Sequence, residues 1–208
     1  MPAPPASHMR AIARARFNDF ALRAPRRVAL GRYEAFIDGI SEAVCAAWSR
    51  WQSVATLSGV RVEGAVASGG RVLGPAWAAL ILARAPRGSP WARRRSRVVA
   101  NTLGEAWMAY LASIRVPSLE WYPSPASAAD VPTPLKSLSQ VSGYLNTMSL
   151  LTRMAMALGR PRAVLDVELC ESIAEAFVQC FRAWHASTMV TGVVAAGEVA
   201  SMKPGGFR

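Results

Sequence analysis

Three stretches of the chain carry one residue pattern at identical spacing. The copies are Trp48, Trp51, Leu57, Gly59 and Val60; then Trp107, Tyr110, Val116, Ser118 and Leu119; then Phe181, Trp184, Val190, Gly192 and Val193. Apolar residues recur upstream of each first aromatic as Ile40 and Val44, Val99 and Leu103, and Ile173 and Phe177. On a helix of ~3.6 residues per turn, all the positions up to the second aromatic share one stripe. Each copy therefore predicts an amphipathic helix that buries its aromatic end and then passes into an extended segment. Trp48, Trp51, Trp107, Tyr110, Phe181 and Trp184 are the expected core aromatics, and the pattern is a possible internal helix-plus-arm repeat.

Local signals place the elements around this motif. A short amphipathic helix is expected from about Met9 to Arg23, ended by Pro25, and the first long helix from Arg32 to Thr56. Val60 and Val62 alternate with Arg61 and Glu63, and Gly64, Gly69, Gly70 and Gly74 follow, which predicts one or two short strands with turns. Ser89 before Pro90 is a cap-plus-proline start for a second long helix reaching Ile114. Thr133 before Pro134 repeats that signal, and the apolar steps from Leu135 to Leu158 predict one continuous helix closed by Gly159. Asp166 is the expected cap of a last helix running to Met189.

The fold class expected is mainly α: four to five amphipathic helices in a bundle, with extended Gly/Pro-rich arms and at most a small β element. At 208 residues and 52 % hydrophobic composition, the chain has material for one well-buried core. Residues 1–32 read as a basic N-terminal arm with a short helix. Residues 33–190 read as the helical body, with a Gly-rich insert at 58–75 and a proline-rich strap at 117–134 anchored by Trp121 and Tyr122. Residues 191–208 read as an extended C-terminal tail.

Charge narrows the class of partner. The net charge is +11, and only Lys136 and Lys203 among the 24 basic residues are lysine. Arginines concentrate in residues 10–32, where Asp19 is the only acid, and in residues 84–97, which hold none. Arg10, Arg14, Arg16, Arg26, Arg27, Arg93, Arg94, Arg95 and Arg97 are the candidate contacts to nucleic acid or to an acidic partner. Arg93 to Arg97 lie in the first turns of a helix, where the macrodipole favours acids, so they break a local rule in the way binding surfaces do.

Patterns for chemistry are sparse. Glu34, Asp38 and Glu42, and Glu168, Glu171 and Glu175, each line one helical face, but a di-metal bundle also needs Glu-x-x-His pairs, and neither His8 nor His185 supplies one. His185 suits a helix C-terminus, where it favours the dipole. No nucleophile motif accompanies it, and Ser68, Gly69 and Gly70 lack the Lys-Ser/Thr of a phosphate loop. Cys45, Cys170 and Cys180 form no C-x-x-C pair and read as buried thiols. No cofactor and no enzymatic activity are expected.

No apolar run reaches the ~18 to 20 residues of a spanning helix, and the Arg-rich start lacks the apolar stretch of a secretory signal. A cytoplasmic location, or one within an assembled particle, is expected. The segments after the motif, carrying Val60, Val62, Val190, Val193, Val194 and Phe207, are apolar and have too little around them in sequence to bury them. With Trp121 and Tyr122 they are the expected assembly arms, reaching neighbouring copies or sibling subunits. The expected function is a structural subunit of a self-assembling particle or filament, such as a phage-like capsid, tail or injection-device component. The alternative is a small basic nucleic-acid-binding protein.

Overall fold

The computed structural model describes residues 2–22, 30–63, 66–120, 129–130, 133–139, 143, 145–160, 163, 165–191, 194–195 and 205–207, and these are mainly helical with small antiparallel sheets. In chain order the elements are α1 (Ala6–Ala21), α2 (Gly31–Val54), β1 (Thr56–Glu63), β2 (Val66–Leu73), α3 (Trp77–Arg84), α4 (Pro90–Leu111) and β3 (Val116–Glu120). There follow β4 (Ala129–Asp130), β5 (Thr133–Pro134), α5 (Leu135–Leu138), α6 (Thr147–Leu158), α7 (Asp166–Ser187), β6 (Met189–Thr191), β7 (Val194–Ala195) and β8 (Gly205–Phe207).

The three long helices α2, α4 and α7 each carry one motif copy and each lead into a strand, β1, β3 and β6. Their aromatic ends converge. Trp48 lies 5.3 Å from Trp107 and 5.4 Å from Trp184, and Trp107 lies 5.6 Å from Trp184, between ring centroids. Trp77 of α3 stacks on Trp107 at 4.4 Å. All six motif aromatics are buried, as are Ile40, Val44, Val99, Leu103, Ile173 and Phe177 of the upstream stripe. Trp48 meets Trp107 and Trp184 edge to face, as Trp51 meets Trp107, which sets ring edges against electron-rich faces and contributes ~0.5–1.5 kcal/mol per pair beyond area burial.

A six-stranded antiparallel sheet in the order β3-β2-β1-β8-β6-β5 lies at the C-terminal ends of these helices. Leu57, Val60, Val116 and Val190 on its inner side are buried, and Phe207 of β8 packs 5.3 Å from Trp51. Gly70 makes the close approach inside the β1–β2 hairpin: its φ is +90°, and a Cβ there would sit 2.8 Å from Val60 Cγ2. The second sheet pairs β4 with β7.

This arrangement corrects the arms. β8 inserts between β1 and β6 of its own chain, pairing Leu57 with Gly205 and Val190 with Phe207. Val60, Val190 and Phe207 therefore belong to the chain's own core, because the sheet gathers segments that sequence separates by more than a hundred residues. The strap contributes β3 to one sheet edge and β5 to the other, and Val194 lies in β7. Trp121, Tyr122 and Val193 lie outside the described residues, as does Pro25; Val62 is a strand residue of β1.

Two further expectations change. The helix expected from Pro134 to Gly159 is two, α5 and α6. Ser139 is extended and turns its hydroxyl back to the Leu135 carbonyl, while Asn146 starts α6 by accepting the Ser149 N–H at 2.8 Å. Such side-chain bonds offer the backbone an alternative to continued helix. Thr133 and Pro134, expected as helix start, instead pair with β6 at the sheet edge, where a proline's missing N–H is tolerated. The apolar stretch at Trp77 is helix α3. Ser89 caps α4 as expected, accepting the Ala92 N–H at 3.1 Å.

Candidate functional site

The arginines of α1 face inward, towards this chain's own carboxylates. Arg14 forks onto both Asp38 oxygens at 2.7 and 2.5 Å. Arg16 reaches Glu171 at 2.7 Å and Glu175 at 3.0 Å, and Arg10 reaches Glu42 at 3.1 Å. The two acidic faces noted in the sequence are thus a cradle on α2 and α7 into which α1 is laid. Hydrogen bonds to Asp38 and Glu171 raise the pKa of Arg14 and Arg16 respectively. Being well exposed, these pairs fix where α1 lies more than they add stability. Met9, Ala13 and Phe17 supply the buried face of the same helix. Arg10, Arg14 and Arg16 are therefore engaged within the chain, on the helix α1 that spans Ala6–Ala21 where a short helix was expected from about Met9 to Arg23. Arg26 and Arg27 lie outside the described residues.

The arginine run on α4 divides. Arg95 turns inward to Asp166 of α7, donating from Nε to Oδ1 at 2.8 Å and from its terminal nitrogens to Oδ2 and to the Trp91 carbonyl. Its guanidinium also lies 4.2 Å over the Trp91 ring. Asp166 was expected to cap α7; it lies in the helix's first turn, accepts the Ala163 N–H at 2.8 Å and neutralises Arg95. Arg93, Arg94 and Arg97 point outward. Arg94 donates to the Leu158 carbonyl at the C-terminus of α6, where a cation suits the dipole, and Arg93 donates to the Arg87 carbonyl at 3.0 Å. Arg84, Arg87 and Arg160 are exposed beside them. Among the described residues no carboxylate pairs with any of these six, so they form a basic face.

A second polar group sits inside the protein. Ser139 Oγ lies 2.8 Å from His185 Nε2 and 3.2 Å from Tyr110 Oη, and donates to the Leu135 carbonyl at 3.0 Å. His185 stacks on Phe181 at 5.6 Å, and burial lowers its pKa and raises that of Tyr110. The histidine thus joins α7 to α5 and α4 through its ring. A hydroxyl beside an imidazole is one half of a nucleophilic pair, but all three side chains are buried and no acid orients the ring among the described residues. Nothing near Ser139 in sequence announced this partnership, since its members come from α4, α7 and the extended residue that follows α5.

Burial pushes the Cys45 thiol up to about 12, with Cys180 nearby adding to it, and pushes Cys180 up to about 11, which makes both unreactive at neutral pH. No metal-binding group of His, Cys, Asp or Glu is found among the described residues, and no described helix is long and apolar enough to cross a membrane. No protein-family model matches the chain, and neither curated proteins nor solved structures give a match.

Proposed function

We propose that this chain is a non-enzymatic structural subunit of a larger self-assembling particle or filament, of the phage-like capsid, tail or injection-device kind, joined to its neighbours through the basic face at the start of α4. The observation that carries this reading is the division of labour among charges. The α1 arginines and Arg95 engage Asp38 and Glu42 of α2 and Asp166, Glu171 and Glu175 of α7, while Arg84, Arg87, Arg93, Arg94, Arg97 and Arg160 remain outward. No described carboxylate of the chain pairs with that face, which leaves it open to an acidic surface of a neighbouring subunit. The described residues of the tails pair within their own chain and so do not support the reading.

The same face supports a second reading, contact with nucleic-acid phosphates, because Arg93 and Arg94 each spend one guanidinium nitrogen on a carbonyl and keep others for a ligand. Size-exclusion chromatography with light scattering and ultraviolet absorbance, at low and high salt, separates the two. Assembly gives a mass several-fold above the 22.3 kDa chain with protein-only absorbance. Phosphate binding gives nucleic-acid absorbance that is lost at high salt, as released counterions return. A 22.3 kDa species free of nucleic acid in both conditions refutes both readings.

A further inference from the structure

The hydroxyl of Ser139 has one proton and three polar neighbours. A carbonyl can only accept, so that proton goes to the Leu135 oxygen at 3.0 Å. Ser139 Oγ must then accept from Tyr110 Oη at 3.2 Å and from His185 Nε2 at 2.8 Å. The count fixes His185 as the neutral tautomer with its proton on Nε2. An added proton therefore enters at Nδ1.

The surroundings of the ring do not favour charge. It stacks on Phe181 at 5.6 Å, meets Tyr110 edge to face at 5.8 Å and is 7 % exposed. The ionisable groups on the elements around it are Tyr110 of α4, kept protonated by burial, with Arg115 after α4, Lys136 of α5 and Arg182 of α7, these three exposed. None is an acid. The carboxylates nearest in sequence on α4 and α7, Glu105 and Glu175, are paired with Arg153 and Arg16. An imidazolium here has water as its remaining partner, and burial lowers the His185 pKa accordingly.

Of the elements packed on the ring, the one that ends at Ser139 is the least tied. α4 and α7 are helices of 22 residues each, whereas β5 holds two residues and α5 four. The short segment is held by the ladder pairs Thr133–Val190 and Pro134–Met189, by the Leu135 N–H on the Thr188 carbonyl at 2.9 Å and by the Arg115 N–H on the Leu138 carbonyl at 2.9 Å, with Leu135 and Leu138 buried beneath it. A segment of this kind opens locally at a lower free energy than a long packed helix. We propose that His185 is a pH-sensitive latch: a proton on Nδ1 brings water to the ring, and residues 133–139 come off α7 and β6 while the helical body stays folded. Release bares the outer edge of β6, the kind of edge to which another chain adds a strand. The latch is a property of one chain and stands apart from the assembly reading.

Hydrogen–deuterium exchange of the full chain, read by mass spectrometry and corrected for the intrinsic effect of pH on exchange, tests the latch. From about pH 7.5 to about pH 5.5, protection in peptides holding the Leu135 and Arg115 amides is expected to fall at least about fivefold, while peptides around Leu103 and Phe177 keep theirs. In His185→Gln, whose amide still donates to Ser139 but does not titrate, the fall is expected to shrink below about twofold. Exchange of the His185 ring C2 hydrogen gives the titration of the ring itself, with a midpoint expected below ~6.5. An equal loss around Leu103 and Phe177 overturns the proposal in favour of global destabilisation. A fall that persists in His185→Gln overturns it in favour of another titrating group, and so does a ring midpoint at or above ~6.5. If His185→Gln does not fold, the wild type decides: loss of protection at Leu135 must follow the ring titration over pH, and a loss that runs apart from it overturns the latch.

Discussion

Arg95 of α4 and Asp166 of α7 form a two-pronged ion pair withdrawn from water, with side chains 8 % and 1 % exposed. The pair ties the start of one long motif helix to the start of another, at the opposite end from the aromatic cluster. It also accounts for one member of an arginine run that opposes the α4 dipole: that charge is neutralised by a carboxylate supplied from another helix.

Breaking this pair from one side leaves a buried charge alone, which costs ~3–5 kcal/mol. Asp166→Leu is expected to lower stability by that amount in urea denaturation. The double variant Arg95→Met with Asp166→Leu is expected to recover a large part of the loss, because no uncompensated charge remains. A double variant as unstable as the sum of the singles would show that the pair's partners act independently.

Acid is expected to loosen the junction of α5 with α7. Burial lowers the His185 pKa, so in the window below the unfolded value of ~6.5 and above the depressed folded value the unfolded chain binds more protons. This contribution to stability is therefore complete above that window and is lost as pH falls through it. Urea midpoints measured from neutral to mildly acidic pH should fall in the wild type, and His185→Gln should flatten the part due to this residue.

Gly104→Ala sets two effects against each other. Alanine favours helix by ~1 kcal/mol, while overpacking costs ~1–3 kcal/mol. The contacts decide the sign: the new Cβ would also meet the Ala78 backbone nitrogen at 3.1 Å, so α3 itself must move. A net loss of ~1 kcal/mol is expected, a fall of about 2–4 °C in the thermal midpoint.

Phe207→Ala tests where the C-terminal segment acts. The ring is 4 % exposed and packs on Trp51 within its own chain, so truncation is expected to cost ~3–5 kcal/mol. Because the contact is intramolecular, the loss in urea denaturation should be the same at low and high protein concentration. A loss that changed with concentration would return this segment to the role of an intermolecular arm.

Helical periodicity was readable wherever a long element has one buried face. The stripes through Trp48, Trp107 and Phe181 gave α2, α4 and α7, and the Ser89–Pro90 signal gave the start of α4, since capping and amphipathicity depend on neighbours in sequence. The break after Leu138 was hidden, because the apolar steps continue through Leu145 and Leu158 while the cause of the break is Ser139 bonding backward to Leu135 and across to His185. The inward turn of Arg95 was equally hidden: within the run it is indistinguishable from Arg94, and only the position of Asp166 separates them.

By itself the sequence determined three aromatic-ended helices, each followed by an extended apolar segment, together with an excess of arginine over acid. Those properties reside in spacing and composition. Tertiary structure alone decided that β1, β6 and β8 complete one another, that α1 spends its arginines on α2 and α7, and that Arg93, Arg94 and Arg97 of α4 stay outward while Arg95 turns in. Burial and charge pairing are relations between residues far apart in sequence, so only folding reveals which apolar segment and which arginine is left for a partner.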